Sequence, residues 1–161
     1  MRLVIADTGP INYLILIGHI DLPPVLFERV ILPSAVQAEL AAGSAPSSVR
    51  NWVARLPLWV EVRETSHDVD NDPLLKGIHE GEKAAINLAA TLNADLLLMD
   101  DRKGVKAARR KGLRVTGTLG ILELATRDGL VDFAQAVSRL QETNFRTPEN
   151  LLDALLKKHR K

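Results

Sequence analysis

The sequence predicts an α/β protein built on a doubly wound parallel sheet. Short apolar runs alternate along the chain with segments of helical period, the pattern of successive βα units. The runs are too brief for helices and lie between helical stretches, as buried parallel strands do. One of them, Leu96-Leu97-Leu98-Met99, stops abruptly on Asp100-Asp101 and then turns basic at Arg102-Lys103. In open α/β sheets, ligands sit outside the carboxyl ends of the strands, so this acid pair stands where chemistry is expected.

In chain order, Leu3-Val4-Ile5-Ala6 reads as the first strand, ending at Asp7-Thr8-Gly9-Pro10, with a helix through Asn12 to Ile17 stopped by Gly18. Val30-Ile31-Leu32 is the second strand, and Pro33-Ser34 opens a helix carrying Val36, Glu39 and Leu40. A short helix follows over Val49–Leu56. Trp59–Arg63 alternates like a half-exposed edge strand, and the polar stretch Glu64–Pro73 reads as a loop. Glu80–Leu92 presents Ala85, Leu88, Ala89 and Leu92 on one side of a helix. After Leu96–Met99 comes a basic helix, Lys103–Lys111, stopped by Gly112. Leu113–Val115 is the last strand, Ile121–Arg127 a helix, and two more helices, Phe133–Glu142 and Pro148–Lys157, precede a frayed basic end.

The length of 161 residues predicts one domain, residues 1–161, able to bury about 70% of its unfolded surface. With 46% apolar and 25% charged residues, the composition is that of a soluble globular protein. The chain contains no cysteine, which excludes disulfides, thiolate metal sites and a thiol nucleophile and fits a cytoplasmic location. Met1–Asp7 is too short an apolar run for a signal peptide, and no stretch approaches a membrane span. Net charge is only +1, yet Arg102–Leu122 holds seven basic residues and no acid. That asymmetry predicts a local basic face.

The acids at strand tips, or on helices just beyond them, are Asp7, Glu39, Glu82, Asp100 and Asp101. Singly, each has an ordinary explanation: Glu39 and Glu82 as solvated helix residues, Asp7 and the pair Asp100-Asp101 as turn or cap residues. Convergence would change their chemistry. Two carboxylates about 4 Å apart repel by roughly 4 kcal/mol at an effective dielectric near 20. A cluster therefore needs protons or a cation. Oxygen-only ligands suit Mg²⁺ or Mn²⁺ rather than zinc, and such an ion activates water and offsets charge on a phosphodiester. His19, His67, His79 and His159 lack metal-ligand spacing and read as surface residues.

Val4-Ile5-Ala6-Asp7-Thr8-Gly9-Pro10, the stretch Leu32-Pro33-Ser34-Ala35-Val36-Gln37-Ala38-Glu39-Leu40, Gly81-Glu82-Lys83-Ala84-Ala85-Ile86 and Leu97-Leu98-Met99-Asp100-Asp101 together resemble the PIN-domain family, most closely its VapC-like prokaryotic ribonuclease branch. Val115–Leu122 and Gly129-Leu130 resemble the same branch, so the resemblance covers essentially the whole chain. It implies a three-layer α/β/α fold with a central parallel sheet of about four or five strands. It also implies a metal-dependent endoribonuclease, often the toxin of a toxin–antitoxin pair, with an RNA substrate, a cognate antitoxin protein and a homodimer. Carried over by position, Asp7, Glu39, Glu82 and Asp101 are catalytic and hold Mg²⁺ or Mn²⁺. Asp100 is a neighbour that could replace Asp101 as ligand. Thr8 and Asn12 support Asp7 or the metal-bound water by hydrogen bonding, and Thr118 supports the site. Relatives carry a further acid just after the last strand, where this chain has Thr116, Gly117 and Thr118.

Beside such a site, Arg102, Lys103, Lys106, Arg109 and Arg110 are candidate RNA-backbone contacts. The turn Thr116–Gly120 precedes a helix, where free N–H groups can bind an anion. The aromatics do not interleave with the basic run, so a stacking platform is not visible; Tyr13 is the one that could meet a base. Aspartyl-phosphate and dinucleotide-binding folds fit poorly, since Gly9 stands where a hydrolase needs a second Asp and the glycine fingerprint is missing. The alternative from another class is a catalytically inactive PIN-like module that binds nucleic acid or protein.

Overall fold

In the computed structural model, which describes residues 2–65 and 72–159, the apolar runs form one sheet. Its strands are β1 (Val4–Ala6), β2 (Val30–Pro33), β3 (Val60–Arg63), β4 (Leu96–Leu98) and β5 (Val115–Thr116), all parallel, in the order β3-β2-β1-β4-β5. The helices are α1 (Thr8–Leu16), α2 (Leu22–Phe27), α3 (Ser34–Ala41), α4 (Ser47–Ala54), α5 (Glu80–Thr91), α6 (Arg102–Arg110), α7 (Thr118–Arg127), α8 (Phe133–Gln141) and α9 (Glu149–Lys158). The expected three-layer α/β/α architecture with a five-stranded sheet is present.

Alternation along the strands divides the interior in two. Val4, Ala6, Leu32 and Leu98 point to the side covered by α1, α3, α4, α7 and α8. Ile5, Ile31, Leu97 and Met99 point to the other, beneath α5 and α6. Strands covered on both faces are continuously apolar, which is why their sequence signal is a run. β3, the edge strand, is only half-buried, as its alternation predicts.

The chain winds from β1 outward to β3, then returns to place β4 on the other side of β1. The strand order therefore reverses between β1 and β4, and the crevice at their carboxyl ends is where such folds bind ligands. Register sets the contents of that crevice. Ala6 pairs with Leu98, and the Asp7 N–H donates to the Leu98 carbonyl at 2.8 Å, so Asp7 and the Asp100-Asp101 pair emerge side by side.

Several boundaries differ from expectation. α1 begins at Thr8, four residues before Asn12, because Pro10 falls in its first turn, where proline is tolerated. α2 was not expected; Pro23 and Pro24 occupy its first turn in the same way. β5 is displaced to Val115–Thr116 because Leu113 belongs to the end of α6. Gly112 takes φ 82° and the Leu113 N–H reaches back to the Ala108 carbonyl at 3.1 Å, a glycine-capped helix end. α7 starts at Thr118, three residues before Ile121. Of the loop expected over Glu64–Pro73, residues 66–71 lie outside the described residues, His67 among them, as do Arg160 and Lys161 of the basic end.

Candidate active site

Asp7 is the innermost acid. It caps α1 by position without a side-chain capping bond, is 4% exposed, and its Oδ1 is buried with no hydrogen-bond partner among the described residues. Burial pushes its carboxyl up to about 7; the Thr8 N–H partly opposes this, and the charges of Glu39, Asp100 and Asp101 add to it. Glu39 comes from α3, and Asp100 and Asp101 follow β4, so two separate stretches of the chain bear on Asp7.

The adjacent pair divides its roles. Asp100 is turned toward α7, accepting the Thr118 N–H at 2.7 Å on Oδ1 and the Thr118 hydroxyl at 2.6 Å on Oδ2. Burial raises its pKa and the two Thr118 bonds oppose the rise. The anion held at the N-terminus of α7 is thus the protein's own carboxylate. Asp101 is exposed and caps α6, its Oδ2 accepting the Gly104 N–H at 2.9 Å. It faces Glu82, whose carboxyl burial pushes up to about 7, with Asp101 and then Asp7 adding repulsion and His79 opposing it.

Glu39 is fixed from two sides. The Thr8 hydroxyl donates to Oε2 at 2.5 Å, and His79 Nδ1 stands 3.0 Å from Oε1. Thr8 therefore supports Glu39 with its hydroxyl rather than Asp7, and Asn12 makes no side-chain hydrogen bond to Asp7 among the described residues. His79 lies at the surface, as expected, yet its ring touches the cluster. No metal-ligand spacing points to it, because the contact is made across elements.

Glycines form the wall behind the acids, and the sequence reading missed this. A Cβ on Gly81 would lie 2.6 Å from Glu39 Cδ, and one on Gly117 would lie 2.6 Å from Asp100 Oδ1. On Gly104 it would meet Met99 Sδ at 2.7 Å and Glu82 Oε2 at 3.3 Å; on Gly9, Asp100 Oδ2 at 3.2 Å. None of these positions has a left-handed backbone. They are glycines for space.

The family comparison bears on this arrangement directly. A family model for the DUF3368 PIN domain matches residues 3–161. The chain belongs to the PIN-domain family. PIN domains are generally nucleases. No curated protein sequence matches the chain.

The donor set of this PIN domain suits a hard cation. Every acid offers oxygen alone, and Asp7 Oδ1 is a buried acceptor without a partner among the described residues. Among the described residues, no three acidic or histidine side chains are gathered tightly enough to enclose one ion. Thr118 holds Asp100 toward α7, and the Gly104 N–H holds Asp101 at the start of α6.

The basic helix divides by face. Arg102, Lys106 and Arg109 line a groove of about 870 Å³ that begins at Asp100 and Gly117, whereas Lys103 and Arg110 do not line it. All five cations are exposed. Tyr13 is engaged elsewhere: its hydroxyl donates to Asn144 Oδ1 at 2.9 Å and its ring meets Phe145 edge-on at 5.0 Å.

Proposed function

We propose that this PIN domain is a Mg²⁺- or Mn²⁺-dependent endoribonuclease of the VapC-like type, acting as the toxin of a toxin–antitoxin pair. The observation that carries the reading is Asp7, a nearly buried carboxyl with an unpartnered oxygen, surrounded by the fields of three further acids. A buried acceptor left without a partner costs about 1–3 kcal/mol, which a bound cation would offset. Asp7, Glu39, Glu82 and Asp101 would hold the ion, with Asp100 beside them. A bound Mg²⁺ or Mn²⁺ would supply an activated water and neutralise charge on the scissile phosphodiester.

The chain's own residues do the positioning. Thr8 and His79 hold Glu39, Thr118 holds Asp100, and the Gly104 N–H holds Asp101, so these carboxylates are oriented before any ligand arrives. Asp7 and Glu82, both near 7, keep protons in the cluster at neutral pH when no cation is present, and these leave as a cation enters. Cations of α6 would engage RNA phosphates next to the site. In the toxin reading, a cognate antitoxin protein restrains the activity in the cytoplasm. The chain would pair as a homodimer through the helices bearing Tyr13 and Trp52.

One observation favours the alternative of an inactive binding module: no ready-made trio of ligands exists among the described residues. Incubation of the protein with total RNA separates the two. Cleavage is expected with Mg²⁺ or Mn²⁺ and is lost with EDTA or in Asp7→Asn. Cutting that persists in EDTA, or equally in the variant, would refute the metal-dependent reading. Expression should likewise arrest a bacterial host, with Asp7→Asn relieving the arrest; equal toxicity from the variant would remove the case for a nuclease toxin.

A further inference from the structure

We infer that residues 146–158 form a movable strap along the groove beside α6, pinned at its start and latched at its end to Glu123, and that release of the latch widens access to the acid cluster. The strap is a property of the fold; what it would regulate, cleavage, rests on the nuclease reading. Of the ten residues of α9 only Leu152 is buried. Leu151, which lines the groove, is 47% exposed. Helices in proteins are held chiefly by packing of an apolar face, and α9 has little of that packing to hold it.

The first residues of the strap border two spaces. Arg146 and Thr147 line the groove of about 870 Å³, and they also line a second cavity of about 450 Å³ to which Val137 and Leu140 of α8 contribute. A wall between two voids lacks the close packing that fixes interior segments. The groove in turn reaches Asp100 and Gly117, so the position of this wall sets the width of a passage to the acids.

Two fastenings bracket the strap. Before it, the Tyr13 hydroxyl donates to Asn144 and the Tyr13 ring meets Phe145 edge-on. The Thr143 hydroxyl donates to the Leu140 carbonyl at 2.6 Å, and the Phe145 N–H donates to Thr143 Oγ1 at 3.1 Å. These contacts tie the start to α1 and α8 and make it the pivot. At the far end, two consecutive residues clasp Glu123 of α7. Lys158 Nζ donates to Glu123 Oε2 at 3.1 Å, His159 Nε2 stands 3.1 Å from the same oxygen, and the His159 ring lies over Phe133 at 4.5 Å. Burial works against the Glu123 carboxylate, but the bonds from His159 and Lys158 outweigh it and hold its pKa below the usual range. The Lys158 side chain is largely exposed, and ion pairs of that kind hold weakly. The anchor itself is fixed relative to the site, because α7 begins at Thr118, which holds Asp100.

The test combines amide hydrogen exchange with thiol alkylation, both in EDTA on the full chain. The chain has no cysteine, so a single Leu119→Cys thiol, in the lining of the groove, reports access through its rate of reaction with a bulky maleimide. Amides of α9 are expected to exchange by local opening, faster than those of α8. Glu123→Gln lies on another helix, so any effect on α9 must pass through the clasp. It should speed α9 exchange by about three- to fivefold, the worth of a partly exposed ion pair, and speed alkylation by a similar factor. Exchange in α8 and β1 should stay as it was. Lys158→Gln, at an exposed position that the fold tolerates, should act in the same direction and less strongly. Glu61→Gln, which removes the ion pair with Arg63 on the edge strand, should change neither rate. Exchange of α9 as slow as that of α8 would overturn the inference, as would an unchanged α9 in Glu123→Gln. Equal acceleration of α8 and β1, or alkylation that does not follow α9 exchange, would overturn it too. None of these readings needs metal or cleavage, so a protein that never cuts RNA with Mn²⁺ loses the nuclease reading and keeps the strap.

Discussion

At the residue scale, the site depends as much on what is missing as on what is present. Gly81 and Gly117 leave room for the carboxylates of Glu39 and Asp100, and any side chain there must displace a charged group already held by two contacts. Gly117→Ala places a methyl 2.6 Å from Asp100 Oδ1 and 3.3 Å from the Met99 carbonyl. Overpacking of this kind costs about 1–3 kcal/mol. The variant should melt lower than wild type and bind Mn²⁺ more weakly, whereas Gly43→Ala, in open space, should do neither. Calorimetric titration with Mn²⁺ alongside melting curves checks both, and equal Mn²⁺ affinity in Gly117→Ala would show that Asp100 need not be held where it is.

At the element scale, the sequence was informative where one signal dominated and silent where two competed. The strands beneath two helical layers are unbroken apolar runs, and β1, β2 and β4 stand where the runs do. The start of α1 and the whole of α2 were not read, although both carry proline in the first turn, where it is tolerated. β5 was misplaced because Leu113 satisfies a helix cap while resembling strand. The acids were legible because carboxylates at strand tips are unusual enough to list. Their supports were not. His79 and the glycine wall act across elements, and no local pattern in the chain records a contact made by tertiary packing.

The basic helix shows both effects at once. Its charge is plain in the sequence, but which cations share a surface with the acid cluster depends on how α6 is rotated against β5 and α9. Arg102, Lys106 and Arg109 line the groove, and Lys103 and Arg110 do not.

At the scale of the whole molecule, the reversal of strand order between β1 and β4 gathers acids that are far apart in the chain, and the folded state bears their repulsion. The consequence for pH follows from the direction of the shifts. Asp7 and Glu82 rise from 3.8 and 4.5 to about 7, so the folded protein keeps protons that the unfolded chain has already released. Their contribution to stability is full below the unfolded values and is lost as pH rises through about 7. Metal-free protein should therefore resist urea better at about pH 5 than at about pH 8, as far as these two groups decide it. Mn²⁺ affinity should run the other way, rising over the same interval because protons must leave first. Urea titrations in EDTA and Mn²⁺ titrations at both pH values read the two trends; an affinity that is flat with pH would separate these carboxyls from the ion.

The claim beneath all of this is that Asp7, Glu39, Glu82, Asp100 and Asp101 share one cation site, and melting curves of wild type and Asp7→Asn at about pH 8, each in EDTA and in excess Mn²⁺, test it most directly. Removing one buried negative charge at nearly constant shape should raise the metal-free melting temperature, by about 2–4 °C for each kcal/mol of repulsion relieved. Wild type should gain about 2.7 kcal/mol from Mn²⁺ at a hundredfold excess over Kd, and the variant much less. If Asp7→Asn is no more stable in EDTA and gains as much from Mn²⁺ as wild type, the acids do not act on one ion.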